Sequence, residues 1–231
     1  MRPEAPVTGQ VQRGRRAAAA REWRVAYQVL EDADAATPLA PDDLDRLATA
    51  AYMLGRDDDY VRALERAHRA HLEGGELPAA ARCGFWIGLN LAVRGETSRG
   101  AGWFARAERL LDRHGEACVE RGYLLLPAVL RAAGAADWEA ATATAARAAR
   151  IAERFADPDL LALAVHEQGH ALVRQRRVGE GLRLLDEAMV AATAGELSPI
   201  VTGIVYCSVI AYCHELHELG RAGEWTDALS H

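Results

Sequence analysis

Small and apolar residues recur at fixed offsets behind a larger residue along this 231-residue chain. Trp138 is followed at offsets of 3, 7 and 10 by Ala141, Ala145 and Ala148. At 3.6 residues per turn these offsets place all four side chains on one helix face. The complete and looser copies of this ladder begin at Trp23, Tyr60, Gly100, Trp138 and Val178, and a shorter one begins at Trp225.

A second helical segment precedes each ladder, and short polar or glycine-containing breakers such as "LGRDDD" and "VRGETS" separate the two. The segment between the ladders at Gly100 and Trp138 covers residues 117–132. One helical hairpin cannot bury its apolar face alone, so we expect stacked hairpins with a period of about 40 residues. The predicted fold is all-α, a right-handed α-solenoid over residues 1–231 as one repeat domain. Its expected hairpins cover residues 9–36, 42–73, 78–113, 117–155, 159–193 and, incompletely, 198–231.

The pattern resembles the tetratricopeptide repeat, in which a small residue early in the second helix is followed by a large one and then alanine. Pro38 and Pro158 lie near joints between repeats, as the terminal proline of that family does. Longer stretches, among them "RLATAAYMLGRDDDYVRALERAHRAH" and "CVERGYLLLPAVLRA", are similar to the repeat region of bacterial LuxR-type transcriptional regulators. That resemblance implies a regulatory repeat region. We expect no helix-turn-helix module, which such regulators often carry, within these 231 residues.

The last ladder stops early, because Trp225 is predicted to open a helix that ends at His231. Stacked repeats normally finish on a polar capping helix. We therefore expect the chain to be part of a longer protein, and a homodimer through the exposed end is one consequence.

The composition of the chain excludes several classes of function. The net charge of −6 argues against direct nucleic-acid binding by the chain. Every basic residue is arginine, which excludes Schiff-base and P-loop lysines. The four cysteines show no disulfide spacing, and neither a signal peptide nor an apolar run of membrane length is present. We expect a soluble cytoplasmic protein with no membrane contact.

The segment "VHEQGHALV" contains His166, Glu167 and His170 in the H-E-x-x-H pattern of zinc hydrolases. Two histidines one turn apart can bind zinc, and the glutamate between them can polarise a metal-bound water. A third ligand is needed, and Glu187 is the best candidate. The alternative is that both histidines are ordinary groove or packing residues on the first helix of a repeat. We therefore predict a protein without a cofactor, and a zinc-binding protein is the alternative.

A binding stripe is the other candidate site. In tetratricopeptide arrays the first helix of each repeat lines the concave groove, and Asn90 is the only asparagine of the chain. Arg82, Trp86 and Asn90 fall at i, i+4 and i+8 on such a helix, and a packing role for Trp86 is the alternative. The predicted groove or ligand-binding residues are Tyr52, Arg82, Trp86, Asn90, Tyr123, His166 and His170.

These patterns predict a non-catalytic scaffold or sensor that binds a protein, a peptide or a ligand in its groove, and the resemblance to LuxR-type regulators implies a place within a transcriptional regulator. Two alternatives stay open. One is a zinc-dependent hydrolase with His166, His170 and Glu167, and the other is a regulatory domain that binds a small-molecule effector between the repeats.

Overall fold

The protein is described by a computed structural model, which covers residues 5–229. All regular secondary structure in that range is helical. The helices are α1 (Ala5–Ala19), α2 (Trp23–Ala36), α3 (Pro41–Met53), α4 (Asp57–Glu73), α5 (Leu77–Val93), α6 (Thr97–His114), α7 (Glu120–Tyr123), α8 (Leu126–Gly134), α9 (Trp138–Phe155), α10 (Pro158–Arg174), α11 (Val178–Thr193), α12 (Pro199–Glu215) and α13 (Leu219–Leu229).

The chain divides into two compact units, Met1–Glu116 and Ala117–His231. In the first unit α1 packs on α2, α3 on α4, and α5 on α6. In the second unit α9 pairs with α8 and the short α7, α10 pairs with α11, and α12 pairs with α13. The first helix of each pair is called helix A below and the second is called helix B. That all 231 residues form one repeat domain stays a prediction.

The turn from helix A to helix B has the same geometry in all six pairs. The second residue before each helix B is left-handed, with φ between 57° and 84°. The next residue donates its N–H to the carbonyl five positions back, at 2.8–3.0 Å, which satisfies an orphan carbonyl of helix A. Glycine fills the left-handed position in only two of the turns. The left-handed residues are Arg21, Gly55, Gly95, Ala136, Arg176 and His217.

This turn determines which residue begins each helix B, and it corrects the predicted start of two ladders. The ladders at Trp23, Trp138 and Val178 begin on the first residue of a helix B, and their ladder alanines and leucines are buried. Tyr60 and Gly100 are instead the fourth residues of α4 and α6. Each therefore occupies the position that an alanine or glycine holds in the other B helices, so these two ladders were placed three residues late.

The last helix also begins earlier than predicted. Trp225 does not open α13, because the helix starts at Leu219, two residues after the left-handed His217. The buried small residue of this helix is Ala222, which is 4% exposed. The turn geometry, and not the tryptophan, marks the start of the helix.

The segment 117–132, predicted as a single helix, is two helices. Proline lacks an N–H, and its ring clashes with the carbonyl four residues back. Pro127 lies near the start of α8, and the backbone before it tightens into i→i+3 bonds such as Leu125 N–H to the Gly122 carbonyl at 3.0 Å. The helix therefore breaks after Tyr123.

Glycines let helix A and helix B approach closely in two pairs. A Cβ built on Gly181 of α11 would lie 2.5 Å from the carbonyl oxygen of Gly169 on α10. A Cβ built on Gly100 of α6 would likewise lie 2.7 Å from the carbonyl oxygen of Gly88 on α5. At these crossings backbone meets backbone, so no side chain can be added without moving a helix. None of the described helices is both long enough and apolar enough to span a bilayer.

Candidate functional site

In the second unit the A helices α10 and α12 bring a group of aromatic and charged side chains together. The His170 ring stacks on the Tyr212 ring, with 3.8 Å between centroids and 6° between planes. The edge of Trp138 lies against His170 at 5.6 Å. The guanidinium of Arg174 lies over the Trp138 ring at 4.7 Å and faces the Glu215 carboxylate at 3.6 Å. We call these five residues the A-helix strip, because four of them lie on the A helices α10 and α12, while Trp138 is the first residue of the B helix α9.

The strip is exposed at its charged end and half-buried at its aromatic end. The Arg174 side chain is 47% exposed and that of Glu215 is 58% exposed. Burial lowers the pKa of His170, and it raises the pKa of Tyr212. Both rings are therefore uncharged near neutral pH, which favours their stacking.

The two other residues of the H-E-x-x-H motif lie behind the strip. His166 is only 1% exposed, and its Nδ1 is 3.0 Å from the Ala162 carbonyl of its own helix. Its Nε2 faces the Glu167 carboxylate at 3.3 Å. Burial raises the pKa of Glu167, but contacts with His166, His170 and Tyr212 together outweigh burial and lower that pKa. The motif residues are thus held by neighbours inside the helix packing.

The structure does not bring Glu187 to the histidine pair. In an antiparallel pair with its turn at Arg176, Glu187 lies beside the earlier part of α10. It lines a cleft with Ala162 and Val165 instead. No three His, Cys, Asp or Glu side chains in the range 5–229 converge so as to hold a metal ion. Zinc as an alternative cofactor stays a prediction.

The predicted stripe of Arg82, Trp86 and Asn90 lies on α5, in the first unit. Each of the three is half-buried. The Asn90 amide donates to Asp57 at 3.3 Å, and the Trp86 ring meets the edge of Phe85 at 5.1 Å. These side chains are engaged within the unit, although each keeps an exposed part. Their role in binding stays a prediction.

Two further predicted groove residues have structural contacts. Tyr52 is half-buried and packs edge-on against Tyr60 at 5.1 Å. Tyr123 is 1% exposed, and its hydroxyl donates to Asp157 at 3.0 Å. Asp157 also caps α10 by accepting the Leu160 N–H at 2.9 Å. The Tyr123 ring therefore lies in the core, where it anchors the start of the next repeat, and is not open to a ligand.

The candidate residues thus fall into two separate sets. Tyr52, Arg82, Trp86 and Asn90 belong to the first unit, whereas His166 and His170 belong to the second. The sequence did not single out Tyr212 or Glu215 as partners of His170. Their signal was positional, since both precede the turn after α12 much as His170 and Arg174 precede the turn after α10.

Comparisons with known proteins identify the fold. No family model matches the chain, and no curated protein does. Among solved structures, the apo form of RapI gives a TM-score of 0.63 at 12% identity, with 97% of each chain covered. A Rap protein complexed with competence and sporulation factor gives a TM-score of 0.65 at 12% identity, covering all of this chain and 75% of that one. The TPR-like repeats of a Podosopora anserina kinesin light chain give 0.53 at 13% identity, covering 86% of this chain and all of theirs.

The chain therefore has an all-α fold of tetratricopeptide-like repeats, as its ladders predict. These identities are too low to carry more than the fold. The narrower resemblance to LuxR-type regulators stays a prediction.

Proposed function

We propose that this chain is a non-catalytic repeat scaffold or sensor that binds a protein or peptide on the A-helix face of its second unit. The observation that carries the proposal is the A-helix strip. Tryptophan, tyrosine and arginine are the residues most enriched where binding energy concentrates at protein interfaces. Trp138, Tyr212 and Arg174 meet here, and the arginine remains accessible.

The strip is also arranged before any partner arrives. Stacking on Trp138 restricts the Arg174 guanidinium, so less side-chain entropy is lost on binding. The opposing Glu215 carboxylate is half-exposed and can exchange its ion pair for one with a partner. A peptide with an acidic group for Arg174 and an apolar group for the aromatic rings fits this surface.

The structural neighbours support a binding role. One of them was solved as a Rap protein complexed with competence and sporulation factor. A fold with such neighbours offers an extended surface for recognition, and the site has to be argued from this chain's own residues.

We extend the proposal to a place within a transcriptional regulator of the cytoplasm, on the strength of the resemblance to LuxR-type repeat regions. In that setting an occupied strip would change how the repeats contact the rest of the regulator. The transcript profile of cells that carry Arg174→Ala should then resemble that of cells without the reading frame. A wild-type profile in the variant would contradict this extension.

The binding role is tested with a phage-displayed random peptide library selected on the purified protein. The enriched peptide is synthesised, and its Kd is measured by fluorescence anisotropy. Removal of an interface hot spot costs about 2 kcal/mol or more, so Arg174→Ala should raise the Kd by roughly 30-fold.

The matched control is Arg183→Ala, which removes an exposed arginine from helix B of the same repeat. It should leave the Kd unchanged. No enriched peptide, or equal binding by Arg174→Ala and the wild type, would contradict a peptide site on the strip.

No contact among residues 5–229 favours the zinc-hydrolase or small-molecule alternatives over this function, and both stay predictions.

A further inference from the structure

A cleft of about 210 Å³ opens between α10 and α11, away from the A-helix strip. Its apolar lining includes Leu161 and Val165 from α10 and Val190 from α11. Val190 is 57% exposed. The cleft is too small for a typical drug-sized ligand, which occupies at least about 300 Å³, but it is large enough for one aliphatic side chain.

Two carboxylates border this apolar surface. Glu187 and Glu196 line the cleft, and both are exposed. No arginine or histidine pairs with either of them among the ion pairs and hydrogen bonds of residues 5–229. The cleft therefore suits an apolar side chain that is flanked by two positive charges.

The same chain carries such a group at the corner between α1 and α2. Arg21 and Arg24 are exposed there, and Val25 beside them is 38% exposed. Neither arginine has a carboxylate partner in the described part of the chain, in contrast to Arg15, which binds Asp43 through two 2.7 Å bonds. Glu22 is the acidic residue of this corner.

Positive charge extends along α1 away from the corner. Arg13 and Arg16 are also exposed, one turn apart, and α1 contains no acidic residue. The sequence of the second unit, residues 117–231, has more acidic than basic residues. Long-range attraction therefore favours an encounter between the α1–α2 corner of one molecule and the second unit of another.

We propose that the chain binds a second copy of itself head to tail. Val25 of one copy enters the cleft of the next, and Arg21 and Arg24 pair with Glu187 and Glu196. The two surfaces differ, so the contact is heterologous and each bound copy leaves a free corner and a free cleft. The assembly is a chain of copies that grows with protein concentration, or a ring where the rotation closes.

Sedimentation velocity of the purified wild-type chain over a concentration series tests this proposal. We expect the weight-average sedimentation coefficient to rise with concentration at about 0.1 M salt. At about 1 M salt, where the Debye length falls to about 3 Å, the association constant should drop at least about tenfold.

Charge reversal identifies the surfaces. Arg21→Glu/Arg24→Glu and Glu187→Arg/Glu196→Arg should each remain monomeric where the wild type associates. A 1:1 mixture of the two variants should associate again, because each variant supplies the surface that the other lacks. Arg147→Glu/Arg150→Glu is the matched control for the arginine variant, since it makes the same change in net charge on exposed positions of α9 and should associate like the wild type.

Val25→Ser, which leaves every charge in place, should also weaken association and covers the case in which a double variant folds poorly. A wild type that stays monomeric at low salt overturns the proposal. Association that survives both charge reversals, or a mixture of the two variants that stays monomeric, also overturns it.

Discussion

The glycine crossing between α10 and α11 predicts opposite effects for two alanine substitutions in a single helix. Gly179 and Gly181 both lie in the first turn of α11. A Cβ at position 179 would meet nothing within 4 Å, whereas a Cβ at position 181 would lie 2.5 Å from the Gly169 carbonyl oxygen and 2.9 Å from the Val173 backbone nitrogen. The pair separates the helix-forming advantage of alanine from the cost of a backbone clash.

The magnitudes follow from these distances. Replacing glycine by alanine in an exposed helical position gains about 0.5–1 kcal/mol, so Gly179→Ala should stabilise the protein by that amount. The Cβ at Gly181 would be about 1 Å inside ordinary contact with backbone atoms, which cannot change rotamer. Overpacking of this kind costs about 1–3 kcal/mol, here at the upper end, which leaves a net loss of about 2 kcal/mol after the helix gain.

The assay is urea denaturation followed by far-UV circular dichroism, with the free energy of unfolding taken by linear extrapolation. The free energies of unfolding of the two variants should differ by roughly 3 kcal/mol, with the same dependence on urea concentration. That difference corresponds to several degrees in Tm for a chain of this size. If Gly181→Ala is as stable as Gly179→Ala, the close approach of α10 and α11 is refuted.

Three further changes test the turns and the packing. Ala141 is fully buried beside Val129, and Ala141→Leu should lower the free energy of unfolding by about 1–3 kcal/mol in the same assay; an unchanged Tm would place this ladder on the surface. Ala136 is left-handed at φ 57°, so Ala136→Gly should raise the free energy of unfolding by about 1 kcal/mol, and a loss of stability there would contradict the turn geometry. His68 Nδ1 lies 2.7 Å from the Ala80 carbonyl, and its Nε2 accepts a hydrogen bond from Arg106 at 2.9 Å. Burial lowers the pKa of His68, and the charge of Arg106 lowers it further. As the pH falls below about 6.5 the unfolded chain binds this proton first, so the wild type should lose more stability between pH 7 and about pH 5 than His68→Gln, and equal pH profiles would contradict this hydrogen bonding.

The sequence predicted the helices well because apolar periodicity is a local property. It placed two ladders wrongly because small residues also occur one turn further along α4 and α6, so the pattern alone allowed two registers. The left-handed residue in each turn settles the register, and four of those six residues are not glycine and give no sequence signal. A pattern of apolar positions therefore predicts a helix more reliably than its first residue.

The site was harder to predict because its parts come from different repeats. The two histidines were visible as a motif, but the ring that stacks on His170 belongs to Tyr212, one repeat later. Burial of His166 and the separation of Glu187 from the pair follow from the packing of α10 against α11, which the motif does not encode. The arrangement of a site across repeats depends on this packing, whereas the spacing within one helix does not.

The polar contacts between hairpins have a short reach along the chain. Arg66 pairs with Asp34, Arg106 binds His68, Gln175 binds Thr142, and Arg221 pairs with Asp186, each joining a hairpin to its immediate neighbour. None of these hydrogen bonds joins residues more than 39 positions apart. Local contacts of this kind let folding begin at any hairpin and spread to the next, with little loop-closure entropy lost at each step. Within each unit, amide hydrogen exchange should accordingly vary hairpin by hairpin, because these polar contacts reach from one hairpin only to the next.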